Sequence, residues 1–350
     1  MKITEVRSIY PRYRVAPAAW RRHFWQMVVR VDTDVGVSGW GAGGGGIAAV
    51  EVINRHLREL LVGRSINSVE DVAGLWDDQY KASLPYGRSG IAVMAISGVD
   101  LALWDALGRA EKKSVCDLLG GRRRDEVRAY ATGPDSTWYR DLGFDAHKSS
   151  QTRRESQAAD AARILEWAEG ARRALGEDAL LMIDAYMSWS PDFAVAVARQ
   201  LAPFEIYWFE DVLLPDDLDG LAALRPQIHP VLLAGGEHEF TARDFGHIAR
   251  MRALDLWQPD VTWCGGLTAT LRIAELAQAH GVPLVPHRGG EIWGLHFLAA
   301  GFGDNLAEMV MGRRSEKRDK LWLGEPQPQE GNLVVPEGPG FGVRVNEELL

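Results

Sequence analysis

Seven apolar runs in the second part of the chain end on a side chain able to hold a proton or a metal: Lys148, Asp184, Glu210, Glu237, Asp260, His287 and Glu308. Folding needs only the apolar residues of such runs, and Glu, Lys and His are poor helix N-caps, so the series points to chemistry. Three carboxylates on successive runs, Asp184, Glu210 and Glu237, would repel by about 4 kcal/mol per pair if brought within roughly 4 Å at an effective dielectric of about 20. A bound cation relieves that repulsion, and an all-oxygen donor set favours Mg²⁺. Asp260 and His287 end the next two runs, a pairing in which the carboxylate keeps one ring nitrogen protonated and leaves the other free as a base. A substrate carboxylate chelated by the cation would have its α-proton acidified and turned toward His287. Glu308 or Lys148 could serve the carboxylate oxygens.

These side chains need a scaffold that converges strand ends. Apolar runs at 127–131, 144–148, 180–184, 206–210, 231–237, 254–260, 282–287 and 306–311 alternate with helical patterns at 157–175, 191–201, 218–224, 242–251 and 267–280. Such alternation predicts an α/β chain forming a parallel (β/α) barrel, whose active site lies at the carboxyl ends of its strands. Upstream, strand patterns at 2–9, 23–31 and 35–41 precede helical ones at 47–61, 69–80 and 90–108, the signature of an α+β unit over about 1–115. The 90–108 run is apolar on nearly every face and therefore predicts a buried helix. Gly43–Gly46 lacks the lysine and strand–loop–helix context of a phosphate loop and reads as a flexible flap.

Composition narrows the function classes. The 350 residues are 46% apolar and 25% charged, with 39 basic against 48 acidic side chains for a net charge of −9. Nucleic acid is not an expected partner. Two cysteines, Cys116 and Cys264, cannot build a disulfide framework. No signal-length apolar stretch opens the chain and no window approaches 18 uncharged apolar residues, so no membrane association and a cytoplasmic location are expected.

The motifs Val99-Asp-Leu-Ala-Leu-Trp-Asp105, Leu118-Leu-Gly-Gly121, Leu181-Met-Ile-Asp184, Trp208-Phe-Glu210, Gly236-Glu-His238, Gln258-Pro-Asp260, Cys264-Gly-Gly266 and Pro286-His287 resemble the enolase superfamily in its mandelate racemase branch. Tyr130-Ala-Thr-Gly-Pro134, Leu323-Gly-Glu-Pro326 and Pro339-Gly-Phe-Gly342 add a resemblance to the acid-sugar dehydratases of the rhamnonate type. The resemblance implies a (β/α)₇β TIM-type barrel over 116–320, capped by an α+β domain at 1–115 that is completed by 321–350. It also implies Mg²⁺ on Asp184, Glu210 and Glu237, the base dyad His287–Asp260, Glu308 as the acid of the eighth strand, and a homo-oligomer.

Many racemases of this branch carry Lys-x-Lys on the second strand, whereas this chain has Lys148-Ser-Ser150. One histidine suffices to remove an α-proton and later protonate a departing β-hydroxide, whereas racemisation needs an acid/base on each face. Dehydration to a 2-keto-3-deoxy sugar acid is therefore expected, with epimerisation or cycloisomerisation through Lys148 as the alternative. A catalytically silent metabolite-binding barrel is the reading from another class. The segment 13–23 is short and basic, and Arg21, Arg22 and His23 are expected substrate contacts together with His238 and Arg288. Arg288 could bind a distal carboxylate or pair with Glu291.

Overall fold

In a computed structural model describing residues 1–15 and 20–350, the chain opens with strand β1 (Ile3–Ile9), helix α1 (Arg21–Phe24), and strands β2 (Met27–Thr33) and β3 (Ser38–Gly43). The three strands form an antiparallel sheet in that order. Helix α2 (Gly46–Val52) runs through one π turn (Ile53–Leu57) into α3 (Arg58–Leu61), followed by α4 (Val69–Ser83), α5 (Ile91–Glu111) and α6 (Val115–Leu118). The strand expected at 23–31 is thus a short helix and a strand that starts only at Met27. The basic segment 13–23 falls partly on residues 16–19, which lie outside the described residues.

Helix α5 is long and apolar enough to cross a bilayer by composition, yet 89% of its most apolar window is buried within the fold. It packs face to face on β3, whose Gly39, Gly41 and Gly43 alternate toward it; a Cβ on any of them would overlap the carbonyl of Ala102, Gly98 or Met94, respectively. Only glycine permits that approach of strand to helix backbone. The Gly43–Gly46 run is tightly packed rather than a flap. A Cβ on Gly44 would lie 2.7 Å from the Trp263 indole, and the Gly44 N–H donates to Thr262 O at 3.2 Å.

The barrel follows as β4 (Val127–Thr132), α7 (Ser136–Asp141), β5 (Ala146–Ser150), α8 (Gln157–Leu175), β6 (Leu180–Asp184), α9 (Pro191–Gln200), β7 (Ile206–Glu210), α10 (Leu218–Ile228), β8 (Leu232–Gly235), α11 (Thr241–Met251), β9 (Leu256–Trp257), α12 (Gly266–His280), α13 (Ile292–Ala299) and β10 (Ala307–Val310). Ser156 caps α8, and Ser190 followed by Pro191 starts α9, satisfying backbone donors that have no partner within the helix. The seven strands pair in parallel in the order β10-β4-β5-β6-β7-β8-β9. Segment 282–287 fills the remaining place through bridges from Leu284 to Trp257 and from His287 to Asp260. Pro283 and Pro286 withhold the N–H groups a full ladder requires.

Closure is visible in the interior. Tyr130, Ala146, Met182, Trp208, Ala234, Leu256, Val285 and Leu306 form one buried cluster, a single side chain from each of eight staves, the layered filling of a parallel barrel. At the end of the chain, β11 (Trp322–Leu323) pairs with β13 (Arg344–Val345), while β12 (Asn332–Leu333) adds antiparallel to β4. The closing segment reaches α5, where the carboxylate of Asp105 accepts from Phe341 N at 2.9 Å and from Trp40 N at 2.8 Å.

Candidate active site

Above the interior layer, the barrel mouth carries a row of charge that the fold positions strand by strand. Not every member ends its strand: Lys148 is central in β5, Glu308 is second in β10, and Glu237 and Asp260 lie past the ends of β8 and β9. Lys148 Nζ is buried over the Tyr130 ring, 5.7 Å from its centroid, and donates to Glu210 and, at 2.8 Å, to Glu308 Oε1. Burial works against its charge, but Glu210 and Glu308 outweigh that and raise its pKa well above the usual lysine range. Lys148 is therefore tied between two carboxylates and does not project as a free group at a strand end.

Glu210 is also buried and accepts from Trp208 Nε1 at 3.0 Å and Gln258 Nε2 at 2.7 Å. Glu308 accepts from Thr132 Oγ1 at 2.6 Å and from the Arg288 backbone N–H at 2.8 Å. Burial opposes its ionisation, but Lys148 and His287 prevail and hold its pKa at about 2. Asp184 pairs in register with Glu210 across β6 and β7. Burial first, then the charge of Glu210 and that of Glu237, push its pKa up to about 8. Asp184, Glu210 and Glu237 thus present hard oxygen donors, with Lys148 on Glu210 and His287 facing Glu237, and that donor chemistry fits a divalent cation.

The histidine is held as expected. His287 Nδ1 lies 2.8 Å from Asp260 Oδ2, while Asp260 Oδ1 accepts the Thr262 N–H and hydroxyl, both at 2.7 Å. Burial disfavours charge on Asp260, but these bonds keep its pKa low. His287 Nε2 faces Glu237 Oε2 at 3.1 Å and Glu308 Oε2 at 3.9 Å. Burial lowers the pKa of the ring, yet Glu237, Asp260 and Glu308 together raise it to about 10.

Arg288 pairs with Glu291: Nε donates at 2.8 Å and Nη2 also reaches that carboxylate, while Nη1 has no hydrogen-bond partner. Its guanidinium stacks over Trp25, 5.2 Å from the ring centroid, and Arg21 lies on the same ring at 4.4 Å. Gln26 Nε2 meets Glu291 at 3.5 Å. The cap therefore reaches the barrel mouth through Trp25 and Gln26, while Arg21, Arg22 and His23 on α1 are all exposed, Arg21 lying against Trp25. His238 sits between the Tyr186 and Trp263 rings, at centroid distances of 6.2 and 5.9 Å. Trp263 is also 5.9 Å from His287.

Sequence reasoning missed Asp211, Gln258, Thr262 and Trp25. The Glu210-Asp211 doublet at a strand end was a usable signal for the first. Gln258 and Trp25 act by reaching sideways to a neighbouring segment, which no spacing reveals, while Thr262 bonds back to Asp260 two residues before it.

A cap seated on the mouth of a parallel barrel, over buried carboxylates and a carboxylate-held histidine, defines a capped-barrel enzyme. The model of the mandelate racemase / muconate lactonizing enzyme N-terminal domain matches residues 8–120, and that of the enolase C-terminal domain-like fold matches 135–349. The chain belongs to this family of the enolase superfamily. It is 35% identical over 348 residues to the L-rhamnonate dehydratase of Saccharopolyspora erythraea, covering 97% of this chain and 88% of that protein. The crystal structure of rhamnonate dehydratase from Gibberella zeae complexed with Mg superposes with a TM-score of 0.89 at 28% identity, covering 99% of this chain and 95% of that one. The 3,6-anhydro-D-galactonate cycloisomerase of Zobellia galactanivorans superposes with a TM-score of 0.84 at 30% identity, covering 99% and 98%.

Proposed function

We propose that this enzyme dehydrates a sugar acid of the rhamnonate class to its 2-keto-3-deoxy product. The observation that carries the reading is a single carboxylate-held imidazole, His287 on Asp260 at 2.8 Å, facing a barrel mouth whose one lysine, Lys148, is tied to Glu210 and Glu308. One free acid/base serves elimination, whereas inversion needs two. Similarity to rhamnonate dehydratases over nearly the whole chain supports the substrate class. The cap is assigned to residues 1–115 completed by 321–350, and the barrel to 116–320.

Asp184, Glu210 and Glu237 would hold Mg²⁺, which when bound neutralises a substrate carboxylate and acidifies its α-proton. With Glu237 engaged by the cation, His287 would lose the pull that holds its ring protonated; the neutral Nε2 then takes that proton, and the electron pair of the broken C–H bond expels the β-hydroxyl. The imidazolium returns the proton to the departing oxygen, releasing water, and the enol left behind tautomerises to the keto acid. Asp260 keeps Nδ1 protonated throughout. Glu308 is an ionised acceptor for a substrate hydroxyl, and Arg21 at the cap lies within electrostatic reach of Glu237.

The test incubates Mg²⁺-replete protein with L-rhamnonate and a panel of other aldonic and aldaric acids in D₂O. Formation of a 2-keto acid carrying deuterium at C3 is expected. A panel giving neither keto acid nor α-deuterium exchange rejects the reading, and exchange with inverted configuration but no keto acid replaces it with epimerisation.

A further inference from the structure

Beside the three carboxylates lies a second group of donors. A ligating atom from each of Asp211, Glu237 and His238 lies within 4.8 Å of the other two. The Asp211 carboxylate is nine-tenths buried, with 10% of its side chain exposed, and its Oδ2 has no hydrogen-bond partner. That oxygen faces His238 Nε2 at 3.7 Å, and the nitrogen is itself buried without a hydrogen-bond partner. Glu237 divides its two oxygens: Oε1 lies 3.3 Å from His238 Nε2, while Oε2 turns to His287 at 3.1 Å.

The backbone presents this group deliberately. Asp211 adopts a left-handed conformation with φ 45°, an uncommon one for a residue other than glycine. It is held there by its own N–H to Ala234 O at 3.1 Å and by its carbonyl accepting Met187 N at 2.6 Å. Gly236, at φ 119°, makes the corresponding turn before Glu237. An unpaired buried carboxylate oxygen and an unpaired buried imidazole nitrogen are each costly. Their convergence on one point offers a partner that would satisfy both.

We propose that Asp211, Glu237 and His238 form a second divalent-cation site that shares Glu237 with the first. One imidazole nitrogen and two carboxylates suit Mn²⁺ or Zn²⁺ better than Mg²⁺, and three protein ligands leave positions open for water or substrate. The shared carboxylate makes the sites interact, because a cation on Oε1 competes with the pull of Glu237 on His287. Only the identity of the first site rests on the proposed function.

The experiment titrates chelator-treated full-length protein with Mn²⁺, counting bound ions by equilibrium dialysis and reading their coupling by electron paramagnetic resonance. Two Mn²⁺ per chain with a spin-coupled signal are expected. Asp211→Asn and His238→Gln should each retain one uncoupled ion, and Asp184→Asn should lose the other. Asparagine tolerates the left-handed backbone, and circular dichroism checks the fold of each variant. A single Mn²⁺ that Asp184→Asn loses and Asp211→Asn keeps overturns the second site and leaves the dehydratase reading standing. Two coupled ions, one lost in Asp211→Asn, with no turnover of any sugar acid would instead sink the dehydratase reading and leave the second site.

Discussion

His287 has each ring nitrogen against a different carboxylate, Nδ1 on Asp260 and Nε2 toward Glu237, so the role of the ring is set by what each nitrogen faces. Replacing it should remove proton transfer while sparing the fold. His287→Asn is expected to lower kcat by roughly 10²–10⁴-fold, read as keto-acid formation, with circular dichroism confirming a retained fold. Lys148 makes the opposite prediction. Buried between Glu210 and Glu308, with 2% of its side chain exposed, it neutralises carboxylates that would otherwise be uncompensated. Lys148→Met should cost about 3–5 kcal/mol in urea unfolding. Chemistry of this kind was legible in the sequence because Asp184, Glu210, Asp260 and His287 are each polar where only apolar residues were needed. Lys148 was legible as a charge but not as a tied one, since its partners come from strands 62 and 160 residues away in sequence.

Elements were read best where periodicity alone decides them. The patterns at 157–175 and 180–184 coincide with α8 and β6, and the largely apolar 90–108 run falls on α5 and its N-cap Gly90. Segment 282–287 was read as a strand from its apolar pattern, and its prolines reduce it to two bridges. The glycine run 43–46 was misread because flexibility is a property of glycine in solution, whereas a close approach appears only once a second backbone is present. That seam gives a paired prediction. Gly41→Ala, whose Cβ would overlap the Gly98 carbonyl, should destabilise by about 1–3 kcal/mol or more. Gly74→Ala, on α4 with nothing within 4 Å of the added methyl, should stabilise by roughly 0.5–1 kcal/mol. Thermal denaturation of the two variants distinguishes a packed glycine from a merely permissive one.

Over the whole molecule, two buried histidines make stability depend on pH. His147 places Nε2 2.7 Å from Gly133 O and Nδ1 3.1 Å from Ser136 Oγ, and His296 accepts Cys116 N at 3.1 Å while reaching Phe341 O at 3.2 Å. Each imidazole so used is neutral, and burial lowers both pKa values from 6.5 to about 4. The unfolded chain therefore takes up protons first on acidification. Stability contributed by these sites is intact above pH 6.5 and falls progressively to about pH 4, by at most roughly 1.4 kcal/mol per pH unit for each histidine. The melting temperature should track that window, and His296→Asn should flatten it. Four buried hydrogen bonds join the cap to the barrel. Asp100 of α5 accepts Thr268 N at 2.9 Å and Thr268 Oγ1 at 2.6 Å, Ser97 accepts Gly265 N at 2.9 Å, and Trp76 donates to Gly265 O at 2.6 Å. These bonds grip the loop that begins at Asp260 and Thr262, and β3 glycines leave α5 no slack on its other side. In a chimaera, then, the smallest portable piece is not a domain: a donor's β3, α5 and residues 260–268 must be exchanged together, and a recombination junction drawn between cap and barrel would split the one unit that aligns the histidine's carboxylate.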